Sequence, residues 1–344
     1  MVFNKMKLKQ IISVILILLV IGAFWFFRSN SSEQIVIKGE TMGTYYIVKI
    51  VSPPQDLSQE ELKLELDELL VGINKIMSTY DKNSELSLFN QSNNIQPQAI
   101  SNELATVIDE SIRIGMISNG ALDVTVGELV NLWGFGTEGR PNKVPAQEQI
   151  LQAKKKIGLQ HLTLTSQGVA KAIPDLYVDL SSIAKGYGVD QVARFLQKKG
   201  FKNIMVDIGG ELALRGKNAE NLPWRIAIEK PENFERSVQQ IIAATNVGVA
   251  TSGDYRNYFE ENGVRYSHTI NPKTAAPITH KLASVTVLHE STMTADGLAT
   301  ALMVMGEDGM EWANKLQIPI YMVVKTQDGF KGISSIAMQK YLVK

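Results

Sequence analysis

Cysteine is absent from the 344 residues, and histidine occurs only four times, as His161, His268, His280 and His289. The first absence excludes disulfides, thiolate catalysis, cysteine-ligated zinc and lipid attachment to an N-terminal cysteine. The second leaves little material for a histidine-rich metal site. Neither sign of charge is in excess: 35 Lys and Arg balance 35 Asp and Glu, so no positive field exists to recruit nucleic acid. Internal repeats and low-complexity tracts are lacking too. What is present is a chain long enough to bury a large core, with ordinary apolar and charged fractions.

One long hydrophobic run stands at the start. Residues 1–10 form a basic N-terminus containing Lys5, Lys7 and Lys9, and residues 11–27 are apolar apart from Ser13 and Gly22. As a helix this run is roughly 25 Å long, within the range for crossing a bilayer. Trp25, Phe26 and Phe27 suit the membrane interface. The preceding lysines place the N-terminus in the cytoplasm and the rest outside it, anchored in the inner membrane by a single pass. A cleaved signal sequence is the rival reading, with Ser29-Asn30-Ser31 as a weak processing site. Residues 28–33 read as a polar linker, and residues 34–344 as the remaining domain.

The patterning of that domain mixes strands and helices. Gln34 to Val51 alternates like strand, with a break at Thr41-Met42-Gly43-Thr44 where Gly43 suggests a bulge or a close backbone approach. Ser58 and Glu61 form a capping box ahead of a helix that buries Leu62, Leu66, Leu69, Leu70, Ile73, Met77 and Tyr80. Ser101 caps a second helix that stops at Asn119-Gly120. Residues 121–126 read as extended, residues 137–147 as an exposed loop, and residues 148–157 as helix. The segment from Tyr177 runs as a strand into a helix starting near Ile183. Asn203 to Ile208 is a buried strand followed by Gly209-Gly210. Further strands are expected at 224–229, 237–244, 247–251, 266–270, 283–289 and 318–324, with helices at 292–306 and 308–316.

Three places carry chemistry. On the helix at 292–306, Asp296 and Thr300 stand one turn apart, offering two hard oxygens to a small divalent cation, while Leu298, Leu302 and Met305 fall on a buried face. Helix-dipole and backbone hydrogen-bond roles explain the same two residues more plainly. At the junction near Ile183, Asp179 and Ser182 stand where an anionic group or a metal could meet exposed backbone, or where a helix is simply capped. His268 lies beside a strand end in Ser267-His268-Thr269-Ile270-Asn271-Pro272, a setting that suits an acid–base group. Tyr80 reads as a core aromatic, with ring stacking as the sharper alternative.

Taken together, these stretches resemble the ApbE family of flavin transferases. Six ordered motifs carry the resemblance: Thr41 to Thr44, Ala121-Leu122-Asp123-Val124-Thr125, Val178 to Gly186, Asp207-Ile208-Gly209-Gly210-Glu211, Ser267 to Pro272, and Thr294 to Ala301. The resemblance covers the chain from about Glu40 to its C-terminus. It implies an α+β fold of mixed or antiparallel sheets with packed helices, T-fold-like, behind the N-terminal transmembrane helix.

By the same resemblance the activity would be FAD:protein FMN transfer. FAD's pyrophosphate would be cleaved with Mg²⁺ or Mn²⁺, FMN joined by a phosphoester to Ser or Thr of a target flavoprotein, and AMP released. Asp296 and Thr300 would be metal ligands, with a backbone carbonyl near Ser182 completing the set. Met42, Tyr80, Ala121, Leu122, Asp123, Asp179, Lys185 and Ile270 would line the FAD site, and His268 would be catalytic. The acceptor would be a flavoprotein subunit of a respiratory redox complex, met on the periplasmic side. The family commonly shows Asp-Pro-x-Thr-Gly after the histidine, whereas this chain has Asn271-Pro272-Lys273-Thr274-Ala275, which keeps the turn and loses a charge. FAD binding without transfer, or hydrolysis of FAD to FMN and AMP, are the alternative activities.

Overall fold

Met42 and Gly43, with φ of 50° and 69°, turn the chain back between strands β1 (Gln34–Thr41) and β2 (Thr44–Val51). Thr41 pairs with Thr44 across this two-residue loop, so the break, expected to be a bulge or a close backbone approach, is a tight hairpin turn with nothing within 4 Å of a Cβ added at Gly43. The structure is a computed structural model that describes residues 32–137, 143–231, 237–254 and 257–343. The basic terminus, the apolar run, most of the linker and part of the 137–147 loop lie outside the described residues. Among the described residues no helix is long and apolar enough to cross a membrane.

After β2 come helices α1 (Gln59–Met77), α2 (Glu85–Gln91), α3 (Asn102–Ile117), α4 (Gly127–Leu132) and α5 (Gln147–Lys154). Ser58 caps α1 by accepting the Glu61 N–H, and Ser101 caps α3 by accepting that of Leu104. A small ladder, β3 (Leu162–Thr165) with β4 (Gly168–Lys171), precedes α6 (Ala184–Lys198). Then follow β5 (Ile204–Ile208), β6 (Glu211–Arg215), β7 (Trp224–Glu229), β8 (Val238–Ala244) and β9 (Val247–Gly253). Two short ladders come next, β10 (Tyr258–Glu261) with β11 (Val264–Ser267), and β12 (Ile270–Asn271) with β13 (Ala276–Pro277). The chain ends through β14 (Leu282–His289), α7 (Thr292–Met305), α8 (Gly309–Lys315), β15 (Ile320–Thr326) and β16 (Gly329–Ser334).

Eight strands form the main sheet in the order β1-β2-β5-β6-β9-β14-β15-β16. Every neighbouring pair is antiparallel, which narrows the expected mixed or antiparallel arrangement to the second. Strand alternation divides the sheet's two faces. On β5, Ile204, Val206 and Ile208 enter the core formed with α1, α3, α6 and α7, whereas Met205 points to the opposite core, beneath the β7–β8 ribbon with Trp224 and Ile242. A third cluster, including Leu132, Trp133, Phe259 and Ile270, joins α4 and α5 to the β10–β13 region.

Four local expectations differ from the structure. Helix α7 is not amphipathic: Thr292 to Ala299 and Ala301 to Val304 are all buried, because the sheet covers one side and α3 and α6 the other. Residues 121–126 are turns rather than a strand. The segment at Val178 joins no sheet, and the Asn90 side chain takes a strand's place beside it. Asn90 Nδ2 donates to the Val178 carbonyl and its Oδ1 accepts the Val178 N–H, both at 2.8 Å. Finally, α1 ends at Met77, and Tyr80 stands in the following turn with 77% of its surface exposed, so it is not a core aromatic.

Candidate functional site

Helices α6 and α7 cross closely because Gly186 has no side chain. A Cβ there would stand 2.4 Å from the Thr292 carbonyl oxygen and 2.8 Å from the Asp296 Cβ. The approach lets the Gly186 N–H donate to Asp296 Oδ2 at 3.0 Å, near the start of α6. That start has no side-chain cap of its own: Ile183 is the N-cap, and Asp179 Oδ1 instead accepts the Ser181 N–H at 2.9 Å. Neither Asp179 nor Ser182 is therefore the ordinary helix cap that the sequence allowed. At the start of α7, Ser291 Oγ accepts the Thr294 N–H, and Asp190 accepts the N–H groups of Thr292 and Met293 at 2.9 and 3.1 Å. These α7 amides are satisfied within the protein.

Beside Asp296 lies a charge cluster. Lys185 Nζ is 3.0 Å from Glu211 Oε1 and 3.9 Å from Asp296 Oδ1. Glu211 opens β6 directly after the Gly209-Gly210 turn, whose φ angles of 62° and 107° favour glycine. Its other oxygen, Oε2, is buried without a hydrogen-bond partner among the described residues. Burial pushes the Glu211 carboxyl up to about 7 despite Lys185, with the neighbouring Asp296 charge adding to the rise. Burial likewise raises Asp296 above the ordinary carboxylate range. Burial opposes the Lys185 charge, but Asp296 and Glu211 outweigh it and hold the ammonium above its usual value. Thr300 Oγ1, one turn beyond Asp296, is 3.4 Å from Ser252 Oγ on β9.

His268 follows β11 and lies within electrostatic reach of Lys185. Its Nδ1 is 3.0 Å from the Asn257 carbonyl oxygen, which can only accept, so Nδ1 carries the hydrogen and Nε2 keeps its lone pair. Burial lowers the imidazole below its ordinary 6.5, against the pull of that carbonyl and of Asp254, so the ring is neutral at pH 7. Phe135 packs edge-on against it, with ring centroids 6.4 Å apart.

Leu122 is buried against α7, where a Cβ on Gly297 would come within 3.4 Å of its Cδ2. Ala121 is buried in the same core, and Asp123 is held by the Thr125 N–H and hydroxyl at 2.8 and 2.6 Å. The Asp179 N–H donates to the Val124 carbonyl at 2.7 Å, which ties the two acidic segments together. Met42 reaches Gly188 on α6, where an added Cβ would be 2.9 Å from the methionine methyl. Asn74 Nδ2 bonds Thr41 Oγ1 at 3.0 Å, holding the end of α1, three residues before exposed Tyr80, against the Met42 hairpin. Ile270 is buried in the third cluster.

The ApbE family model matches residues 42–322, the interval that spans these groups. The chain belongs to the ApbE family. A Vibrio cholerae protein described as FAD:protein FMN transferase is 53% identical over 314 residues, covering 91% of this chain and 94% of its own. An Escherichia coli K12 protein of the same description is 42% identical, covering 92% and 91%. The solved flavin transferase ApbE from V. cholerae superposes with a TM-score of 0.85 at 52% identity, covering 90% of this chain and all of that one. The Thermotoga maritima ApbE protein keeps a TM-score of 0.79 at 27% identity, with 91% and 100% covered.

Of the residues the ApbE resemblance implies, the structure brings Lys185 and Asp296 together directly, with Thr300 one helical turn away and His268 within electrostatic range. Ile270 and Leu122 are buried, and Tyr80 is an exposed ring. Two residues of the centre escaped the sequence reading. Glu211 closes the Asp207–Glu211 motif, and a carboxylate directly after a glycine pair at the head of a buried strand was the available signal. Asp190 gave none, since its partners are a hundred residues away.

A small hard cation fits the donors here. Asp296 Oδ1 and the Thr300 hydroxyl are hard oxygens, and waters complete such a shell without further protein ligands. Among the described residues no group of three His, Cys, Asp or Glu side chains gathers as a metal cluster.

Proposed function

We infer that this chain is an FAD:protein FMN transferase that forms a phosphoester between FMN and a Ser or Thr hydroxyl of a target flavoprotein and releases AMP. The observation that carries the chemistry is the buried Asp296 carboxylate, gripped through one oxygen by Gly186 and facing Lys185 with the other. Asp296, Thr300 and a backbone carbonyl near Ser182 would hold Mg²⁺ or Mn²⁺. A divalent ion so held would neutralise pyrophosphate charge and polarise the phosphorus under attack.

The protein's own groups do the rest. His268 Nε2 takes the proton of the acceptor hydroxyl as its oxygen bonds to the FMN phosphorus. The bond from that phosphorus to the bridging oxygen breaks, and its electron pair leaves on AMP. Lys185 offers positive charge to phosphate oxygens at the same end of the sheet. Met42 and Tyr80 suit the flat rings of FAD, and Ala121, Leu122, Asp123, Asp179 and Ile270 shape the remaining walls. The N-terminal apolar run would anchor the domain to the inner membrane on its periplasmic side, where subunits of respiratory redox complexes are the acceptors.

The test combines the chain with FAD, Mg²⁺ and a candidate acceptor. Covalent flavin on the acceptor with equimolar AMP is the expected result. FAD bound and left intact would refute transfer, and FMN with AMP in the absence of acceptor would make the protein a pyrophosphatase.

A further inference from the structure

Lys185 poses a problem for any cation at Asp296, because its ammonium stands 3.9 Å from the carboxylate oxygen such an ion would use. Like charges at that separation compete for one anion. The ammonium is nevertheless bonded elsewhere: Glu211 Oε1 is 3.0 Å away, within hydrogen-bond distance, and Asp296 is not. Glu211 is held firmly, since it pairs with Ile208 across the Gly209-Gly210 turn and is only 4% exposed. A buried carboxylate with one oxygen unpartnered is costly to keep, so its presence calls for a reason beyond packing.

The geometry supplies the reason. With Glu211 Oε1 at 3.0 Å the ammonium has a carboxylate partner other than Asp296, whose Oδ1 stands beyond hydrogen-bond distance at 3.9 Å. Without Glu211, Asp296 would be the one carboxylate within 4.0 Å of the ammonium among the described residues.

We propose that Glu211 is a positioning residue that draws the Lys185 ammonium off Asp296 and so keeps the Asp296 carboxylate open to a divalent cation. This rests on the metal reading given above. The same pairing fixes Lys185 on the sheet side of the centre, where its charge serves the phosphate rather than the metal ligand.

Binding of Mn²⁺ to the FAD-free protein, counted by electron paramagnetic resonance of the free ion, tests this without turnover. Glu211→Gln should weaken Mn²⁺ binding by about 10–100-fold, the range for groups that orient metal ligands. Adding Lys185→Met to that variant should return the affinity close to the native value, because the competing ammonium is gone. Lys185→Met alone should bind Mn²⁺ more tightly than the native protein, and it gives a second route to the answer if Glu211→Gln does not fold. Unchanged affinity in Glu211→Gln would overturn the proposal, as would weaker binding in Lys185→Met. A double variant as weak as the single one would overturn it in favour of Glu211 touching the ion itself. Mn²⁺ binding that survives intact in Asp296→Asn would instead remove the metal assignment at Asp296, and this proposal with it.

Discussion

Asp190 and Asp296 each accept backbone N–H groups from the helix on which the other stands. Asp190, on α6, takes those of Thr292 and Met293 at the start of α7, and Asp296, on α7, takes that of Gly186 near the start of α6. The two helices thus cap each other, and negative charge meets the positive end of both dipoles. One of the two caps is also the proposed metal ligand. On that proposal Asp190 is the purely structural half of the exchange and Asp296 the half that would serve chemistry.

Asp190→Ala separates those roles. It leaves the two amides and the Ser291 hydroxyl without their acceptor and Arg215, 4.0 Å away, without its buried counter-charge. Native stability should fall by about 3 kcal/mol, measured by urea unfolding monitored with circular dichroism.

Asp296→Asn should behave differently from Asp296→Ala. Asparagine keeps an oxygen for the Gly186 N–H but loses the charge, so the fold should hold while metal-dependent AMP release falls at least ~100-fold. Alanine should lose the activity and also about 1–2 kcal/mol of stability, because the Gly186 N–H is left unpaired. Parallel melting and AMP assays distinguish the two; full activity in either variant would remove Asp296 from the mechanism.

The pH dependence of transfer follows from His268. Burial depresses its folded-state pKa below 6.5, so the neutral base persists as pH falls through 6.5 and is lost only below that, when the ring protonates. The acid limb of kcat/KM for the acceptor should therefore lie below pH 6.5. His268→Ala should abolish that limb and slow transfer while FAD binding, followed by flavin fluorescence, remains. The native fold should lose stability over the same acidic interval, since the unfolded ring binds its proton first.

Lys171 offers a control outside the Lys185–Glu211–Asp296 cluster. Its side chain is buried, with Nζ donating to the carbonyls of Ser92, Pro174 and Asn90 at 2.6, 3.2 and 3.3 Å and lying over the Phe89 ring. Lys171→Met should cost about 2–4 kcal/mol by stranding those carbonyls, with unchanged activity per folded molecule. A matching loss of activity would show that this corner of the fold bears on the site.

The local signals that could be read from the sequence were those whose cause is local. Ser58 and Ser101 announced α1 and α3 through their caps, and alternation over Gln34 to Val51 announced β1 and β2, all of which the structure contains. Asx geometry at Asn271 was legible as well: its Oδ1 accepts the Lys273 N–H at 2.9 Å, so the turn persists without the charge. What escaped the sequence was long-range. The Asn90 amide that occupies a strand's place beside Val178 comes from 88 residues away, and no periodicity at Val178 could reveal it. The burial of nearly all of α7 depends on α3, α6 and the sheet arriving around it. Lys185 could be read as a phosphate contact, but its ion pair with Glu211 required the Gly209-Gly210 turn to aim that carboxylate inward.

His268 does not stand on the eight-stranded sheet that carries Glu211, nor on the helix pair that carries Lys185 and Asp296. It follows the β10–β11 ladder, a separate piece of four residue pairs. On the proposed function, the half of the site that would handle the pyrophosphate and the half that would greet the incoming hydroxyl are thus built on different supports. A lineage could reshape the hairpin to suit a new acceptor protein while the machinery for breaking FAD passed on untouched.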